Sequence, residues 1–118
     1  MATNLFSLQV TIANGASLSD IGVLNGVNLA AILMPAAWTA AGLSFQGSLD
    51  GTTFGNVFDS IGAEVTIPSA AATASQMILI PAGAFDGLQA IKIRSGTSGA
   101  AVNQGQASIL TLQCRRYF

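Results

Sequence analysis

The sequence contains no histidine and a single cysteine, Cys114. Without histidine, the chain lacks the commonest general base and the commonest zinc ligand of proteins. This absence excludes Ser–His and Cys–His catalytic pairs, and metal sites built from histidine and cysteine. One cysteine cannot form an internal disulfide, and the alternating apolar stretch around Cys114 predicts a small buried side chain rather than a reactive thiol.

Charged side chains are also scarce. Only 8% of the residues are Asp, Glu, Lys or Arg, against about 25% in an average globular domain. The formal net charge is −1, and four basic residues could neutralise few phosphates, so we expect no nucleic-acid partner. Low net charge favours association over life as a free monomer. We therefore expect permanent neighbours, contacted through the uncharged segment Ile21–Leu49 and the Ser95–Gly105 loop.

Two charge-free segments, Ile21–Leu49 and Val65–Phe85, are long enough to span a bilayer. Both are interrupted by proline and by polar side chains, so neither is typical of a spanning helix. The first ten residues, MATNLFSLQV, lack the basic residues and apolar core of a signal peptide. We expect no membrane partner and synthesis in the cytoplasm.

Apolar and polar residues alternate with a period of two through much of the chain, which predicts β-strands. Turn signals such as Asn14-Gly15 and Asp50-Gly51 separate the strands, and no long amphipathic helix is predicted. This spacing predicts one all-β domain over residues 1–118, an antiparallel β-sandwich or jelly roll of about eight short strands. The predicted strands are Leu5–Ile12, Val27–Met34, Leu43–Ser48, Thr53–Asp59, Ala63–Pro68, Gln76–Ile80, Leu88–Arg94 and Ser108–Tyr117.

Carboxylates are the remaining source of catalytic or metal-binding chemistry. Asp50, Asp59 and Glu64 lie close in sequence, as a glycosidase pair or a calcium site would require. However, Asp before Gly usually shapes its own turn, and no segment has the spacing of calcium ligands. We therefore expect no enzymatic activity, no metal and no cofactor.

Trp38 follows a proline corner, where a tryptophan either plugs the core or edge of the sandwich or is exposed as an interface anchor or a stacking platform for a sugar. If the chain binds a glycan, Trp38 or Phe54 would stack on the ring. Asp50, Asn56 or Gln104 would then hydrogen-bond to its hydroxyls.

The segment SFQGSLDGTTFGNVFD resembles the strand–turn–strand of discoidin-like jelly rolls. The chain lacks the cysteine pair that often ties the ends of those lectins, which counts against a secreted lectin. Over roughly residues 20–115, the motifs PAAWTAA, SLDGTTF, IKIRSGTS and VNQGQ resemble small virion proteins of tailed bacteriophages.

The phage resemblance implies a capsid decoration (cement) protein located in the virion. Its partners would be the major capsid protein or other virion proteins, and it would form a homo-oligomer, of which a trimer would suit threefold positions on a shell. Alternatives are a carbohydrate-binding jelly-roll module, another head or tail structural protein, and a hydrolase that uses Asp or Glu.

Overall fold

The structure, a computed structural model, describes residues 5–116, and these form ten β-strands and no helix. Within this part of the chain there is accordingly no helix with the length and apolar character to cross a membrane. The strands are β1 (Leu5–Ile12), β2 (Gly22–Val23), β3 (Asn28–Leu33), β4 (Leu43–Ser48), β5 (Gly55–Asn56), β6 (Thr66–Ile67), β7 (Met77–Leu79), β8 (Ala90–Thr97), β9 (Ala100–Ala101) and β10 (Ser108–Arg115).

The strands form two antiparallel sheets. The first sheet has the order β1-β10-β3-β7, and the second has the order β2-β8-β4-β5, with β6 paired to β4 and β9 to β8. Strands from the two ends of the chain pair successively inward: β1 with β10, β2 with β8, β3 with β7, and β4 with β5. Such a ladder, rolled so that its strand pairs alternate between two sheets, is a jelly roll. The predicted fold class is confirmed.

Period-two alternation places the core between the two sheets. In β1, Val10 and Ile12 are fully buried, and they pair with Leu110 and Ser108 of β10. The second sheet contributes residues such as Phe45, whose ring centroid lies 4.8 Å from that of Phe85. The core residues are Val10, Ile12, Leu24, Val27, Leu29, Ile32, Met34, Leu43, Phe45, Ala72, Phe85, Ile91, Ile93, Leu110, Leu112 and Cys114.

The predicted bounds of β1 and β4 agree with the structure, and the hairpin after β4 is present as the β4–β5 pair. The predicted strand Thr53–Asp59 is wrong in length, because only Gly55 and Asn56 pair with β4 in regular fashion. The final strand, predicted over Ser108–Tyr117, spans Ser108–Arg115 in the structure, and Tyr117 lies outside the described residues. The strands β2 and β9 were not predicted, because two residues carry no periodicity.

The predicted Ser95–Gly105 loop is also corrected. Strand β8 continues to Thr97, and β9 turns back to pair with it. Gly96 makes this return tight: its φ is +90°, and a Cβ there would overlap the carbonyl oxygen of Ala100.

Candidate functional site

The two sheets differ in the chemistry of their outer faces. On the second sheet, cross-strand pairing places Lys92 beside Gln46 and Arg94 beside Ser44. Directly paired residues project to the same side of a sheet, so these polar and basic side chains share the outer face.

Arg94 is the centre of a hydrogen-bond network on that face, although its side chain is only 9% exposed. Its Nη2 donates to Asn56 Oδ1 at 2.6 Å, and its Nη1 donates to Ser44 Oγ at 3.1 Å. Nη1 also lies 3.5 Å from Glu64 Oε2, forming a salt bridge. Glu64 in turn accepts the backbone N–H of Ser98. The network joins β4, β5 and β8 with the segments around Glu64 and Ser98, and a buried guanidinium with three acceptors is suited to holding these together.

The network accounts for one predicted glycan contact. Asn56 is exposed, but its Oδ1 accepts from Arg94 and, at 3.4 Å, from Gln46 Nε2. Nearby, Lys92 Nζ lies 4.6 Å from the centroid of the Phe54 ring, a cation–π contact that occupies one face of the half-buried ring. Phe54 therefore has less ring surface for a sugar than an unpartnered aromatic would have.

Asp50 shapes the turn after β4. Its Oδ1 accepts the backbone N–H groups of Thr53 at 2.8 Å and Thr52 at 2.9 Å, and the Ser48 hydroxyl at 2.9 Å. These donors, the Thr53 amide first, hold the pKa of Asp50 well below its usual range. Gly51 follows with a φ of +85°, which favours glycine. The interpretation of this aspartate as a turn residue is confirmed.

Trp38 and Gln104 lie at the other end of β4. Trp38 is half-buried against the core, and its Nε1 donates to the carbonyl of Ala41 at 3.1 Å, just before β4 begins. Asp50 follows the end of this six-residue strand, so about 20 Å of extended chain separates the two regions. Asp50 and Phe54 share a shallow depression, whereas Trp38 does not line it. The five predicted contact residues therefore do not form one site.

Gln104 is buried, with 1% of its surface exposed, so the expectation that it contacts a glycan is wrong. Its Nε2 donates to Ser95 Oγ at 2.7 Å and to the Thr39 carbonyl at 3.0 Å. Its Oε1 accepts from the Thr39 N–H at 2.8 Å and from Gln106 Nε2 at 3.1 Å. The side chain fastens the Trp38 corner to β8 and is unavailable to a ligand.

The carboxylates considered for catalysis or calcium binding each accept hydrogen bonds within the fold. Asp59 Oδ1 accepts the N–H groups of Ile61 and Ala63, as Glu64 accepts that of Ser98. Among residues 5–116, no three Asp, Glu or Cys side chains are grouped as metal ligands would be. Cys114 is fully buried, as predicted, and burial raises the pKa of its thiol.

The outer face of the first sheet is different in character. Its cross-strand rows include Thr111–Leu33–Met77, and Leu79 lies beside Ala31 in the next row. Leu79 is 80% exposed and Met77 is 56% exposed. We call this surface the charge-poor face; it consists of Ser7, Gln9, Thr11, Ala31, Leu33, Met77, Leu79, Ile109, Thr111 and Gln113. Two charged residues border this face. Arg115 lies opposite Leu5 at one end of β1, and at the other end Asp20 Oδ1 accepts the Thr11 N–H at 2.8 Å.

This face was not predicted as a unit. The alternation of Met77 and Leu79 with Ile78 and Ile80 marked a strand with apolar residues on both sides, but the sequence does not say which strands become its neighbours. Half of the apolar residues of the uncharged segment Ile21–Leu49, in contrast, are buried, among them Leu29 and Ile32 of β3 and Leu43 and Phe45 of β4. Burial accounts for part of the lack of charge in that segment, and β3 contributes Leu33 and Ala31 to the charge-poor face.

No protein-family model and no curated protein matches the chain. Among solved structures, the chain is similar to the crystal structure of the Yersinia pseudotuberculosis-derived mitogen (YPM), with a TM-score of 0.44 and 15% sequence identity. The match covers 98% of this chain and 88% of that one. A likeness at this level carries no argument about function.

Proposed function

We propose that this chain is a non-enzymatic structural component of a bacteriophage particle, a decoration (cement) protein that binds the head shell through the charge-poor face. The observation that carries the proposal is the contrast between the two outer faces. The second sheet uses its charges in an internal network, whereas the first presents Met77, Leu79 and Ile109 to solvent among uncharged polar neighbours. The resemblance of the sequence to small phage virion proteins supplies the identity of the partner.

The mechanism is burial of this face against the shell. Apolar surface removed from water contributes roughly 25 cal/mol per Å², before the entropic cost of association. The polar residues of the face, among them Gln9, Thr111 and Gln113, are neutral, so their desolvation costs less than that of charges and each can form hydrogen bonds across the interface. A copy that bridges two shell subunits would oppose their separation.

A pair of matched variants tests the proposal. Leu79 and Leu49 have the same side chain and nearly equal exposure, 80% and 81%, but Leu49 lies in the turn after β4, on the second sheet. We expect Leu79→Asp to weaken binding to phage heads stripped of the protein by at least about tenfold, because one buried leucine is worth roughly 1.5–3 kcal/mol. Leu49→Asp should bind as the unmodified chain does.

The assay is co-sedimentation of the purified chain with stripped heads, followed by the temperature at which the refilled heads release their DNA. Heads that bind the unmodified chain should release DNA at a higher temperature than stripped heads. Equal binding by both variants would remove the charge-poor face from the proposal. If mass spectrometry of purified particles detects no copies of the chain, the proposed location itself is wrong.

A carbohydrate-binding module is the second candidate, favoured by the depression that Asp50 and Phe54 share with Leu49. In that case the roles of the variants are reversed, because Leu49→Asp would disturb the site and Leu79→Asp would not. A glycan array probed with the unmodified chain decides the matter, and an array without a hit removes this candidate.

A further inference from the structure

A small cleft lies beside a β-bulge at one end of the charge-poor face. Gln113 of β10 is opposite Ala31, but the next residue, Cys114, is opposite Leu29, so Ala30 has no partner on β10. An extra residue of this kind bends its strand and changes the direction of neighbouring side chains. The cleft has a volume of about 190 Å³ and is lined by residues of β3, of β10 and of the chain at the end of β7.

Arg115 lines this cleft, and among residues 5–116 it is the basic residue whose side chain has no partner. Arg94 forms the salt bridge described above, and the side chains of Lys92 and Arg116 lie over aromatic rings. Arg115 is exposed, and its guanidinium makes neither a hydrogen bond nor an ion pair with the described residues. Its N–H donors are therefore available to a ligand.

The rest of the lining combines one further polar group with apolar side chains. Asn28 pairs with Arg115, so both side chains project from the outer face of the sheet. The Asn28 amide group also has no hydrogen-bond partner among residues 5–116. Leu79, Ile80 and Ala82 supply the apolar part, and no carboxylate lines the cleft. The cleft thus offers positive charge and apolar surface side by side.

We propose that this cleft binds a glutamate side chain presented by the partner of the charge-poor face. A guanidinium binds a carboxylate through two parallel hydrogen bonds, and the Asn28 amide can donate a third. The methylene groups of the glutamate would lie against Leu79 and Ala82. A single arginine neutralises one carboxylate but only part of the charge of a phosphate group. The volume is below the roughly 300–1,000 Å³ of pockets for free ligands, which favours a side chain carried by a protein.

The inference deepens the proposed function and rests on it for the identity of the partner. Leu79 belongs both to the charge-poor face and to the cleft, so a surface that covers the face also covers the cleft. Docking would then remove the Arg115 guanidinium from water, and a buried charge without a counterion is costly. A partner with a carboxylate at this place avoids the cost, whereas a partner without one is disfavoured, so the cleft contributes specificity.

The free chain tests the cleft without any shell. In proton–nitrogen correlation spectra, the amide signals of Ala30 and Ala82 should shift on titration with the capped tripeptide Leu-Glu-Leu, and much less with Leu-Gln-Leu. Arg115→Gln should remove the difference between the peptides. Lys92→Gln is the matched control, because it removes one positive charge from the second sheet, and it should preserve the difference. Equal shifts with the two peptides, or no shifts, would overturn the inference.

Binding to stripped phage heads tests the partner. We expect Arg115→Gln to weaken binding by at least about tenfold, and Lys92→Gln to bind as the unmodified chain does. Ala82→Leu keeps the charge but fills the cleft, so it should also weaken binding. Conversion of the carboxylates of the heads to neutral amides should weaken binding of the unmodified chain more than that of Arg115→Gln, because the two changes remove the same contact.

The two proposals fail in different ways. If the unmodified chain does not bind the heads, the proposed function is refuted and the peptide titration decides on the cleft. If the unmodified chain and Arg115→Gln bind the heads equally well, the cleft is not used and only the present inference is overturned.

Discussion

Replacing Gln104 by leucine should be among the most damaging single changes to the stability of this protein. The side chain is buried, and its amide satisfies two backbone groups of Thr39 and the hydroxyl of Ser95. Leucine has a similar volume but offers no hydrogen bond. The substitution therefore removes the polar contacts while leaving little cavity, so the effect isolates the hydrogen bonds.

The magnitude follows from the burial of the groups left behind. Ser95 is fully buried, so losing a partner for its hydroxyl costs about 1–3 kcal/mol. Thr39 is half-buried, and water can partly replace its two lost bonds, at roughly 1 kcal/mol each. The sum is about 4 kcal/mol, a large part of the roughly 5–15 kcal/mol that stabilises a typical domain.

Urea denaturation followed by Trp38 fluorescence measures this loss, because the single tryptophan lies next to Thr39 in the affected corner. All variants should be compared at one protein concentration, since self-association would shift the midpoint. Gln113→Leu is the control. Gln113 lies on the outer face of β10, and its side chain makes no hydrogen bond among the described residues, so the change in the free energy of unfolding should stay within about 0.5 kcal/mol. If the two variants lost equal amounts of unfolding free energy, the hydrogen bonds of Gln104 would not stabilise the fold as described.

Three further predictions concern stability. Arg94→Leu should lower the free energy of unfolding measured in urea by about 3 kcal/mol, because it leaves the largely buried Glu64 carboxylate without its cation. Arg94→Lys should recover little of this loss, because an ammonium group cannot reach the three acceptors in the same geometry. The lowered pKa of Asp50 means that its charged form stabilises the fold above pH 3.8, and that this contribution is lost as the pH falls through the pKa of the folded state. The melting temperatures of the unmodified chain and of Asp50→Asn should therefore converge below pH 3.8. A difference that stays constant with pH would contradict the assignment of Asp50 as a turn residue. Gly96→Ala should lower the free energy of unfolding by at least about 2 kcal/mol, because Gly96 has a positive φ and a Cβ there would overlap a backbone carbonyl. Gly99→Ala should be close to neutral, because a Cβ at Gly99 would meet open space. Similar melting temperatures for the two variants would refute the tight return after β8.

The sequence predicts the bounds of a strand well where one face of the strand meets the core and the other meets solvent. Strand β1 has core on one side and solvent on the other, so its alternation marks both its bounds and its buried residues. Strand β4 could also be bounded, because Asp50-Gly51 ends it. Strand β5 was overestimated because Phe54, Val57 and Phe58 suggested a continuous extended run, whereas the chain leaves regular pairing after Asn56.

Local patterns in the sequence could not predict which strands pair with each other or which side chains interact in the candidate site. Arg94 alternates with buried isoleucines, a pattern that predicts the solvent side, yet Asn56 and Glu64 from segments far along the chain cover it. Gln104 lies in a stretch rich in Gly, Asn and Gln, which resembles an exposed loop until the Trp38 corner is placed over it. In both cases burial is decided by contacts between distant segments, which periodicity does not report.

The pairing of β1 with β10 also constrains how the chain folds as it is synthesised. Strand β10 is central in the first sheet: it lies between β1 and β3, which do not pair directly with each other. While β10 is still inside the ribosome, the first sheet has only the short β3–β7 pair, and the apolar faces of β1 and β3 have no cover. Closure of the first sheet must await release of β10, and long-range pairing of this kind is slow. A nascent chain of this protein therefore carries exposed core surface until β10 has left the ribosome, and chaperones can bind that surface in the meantime.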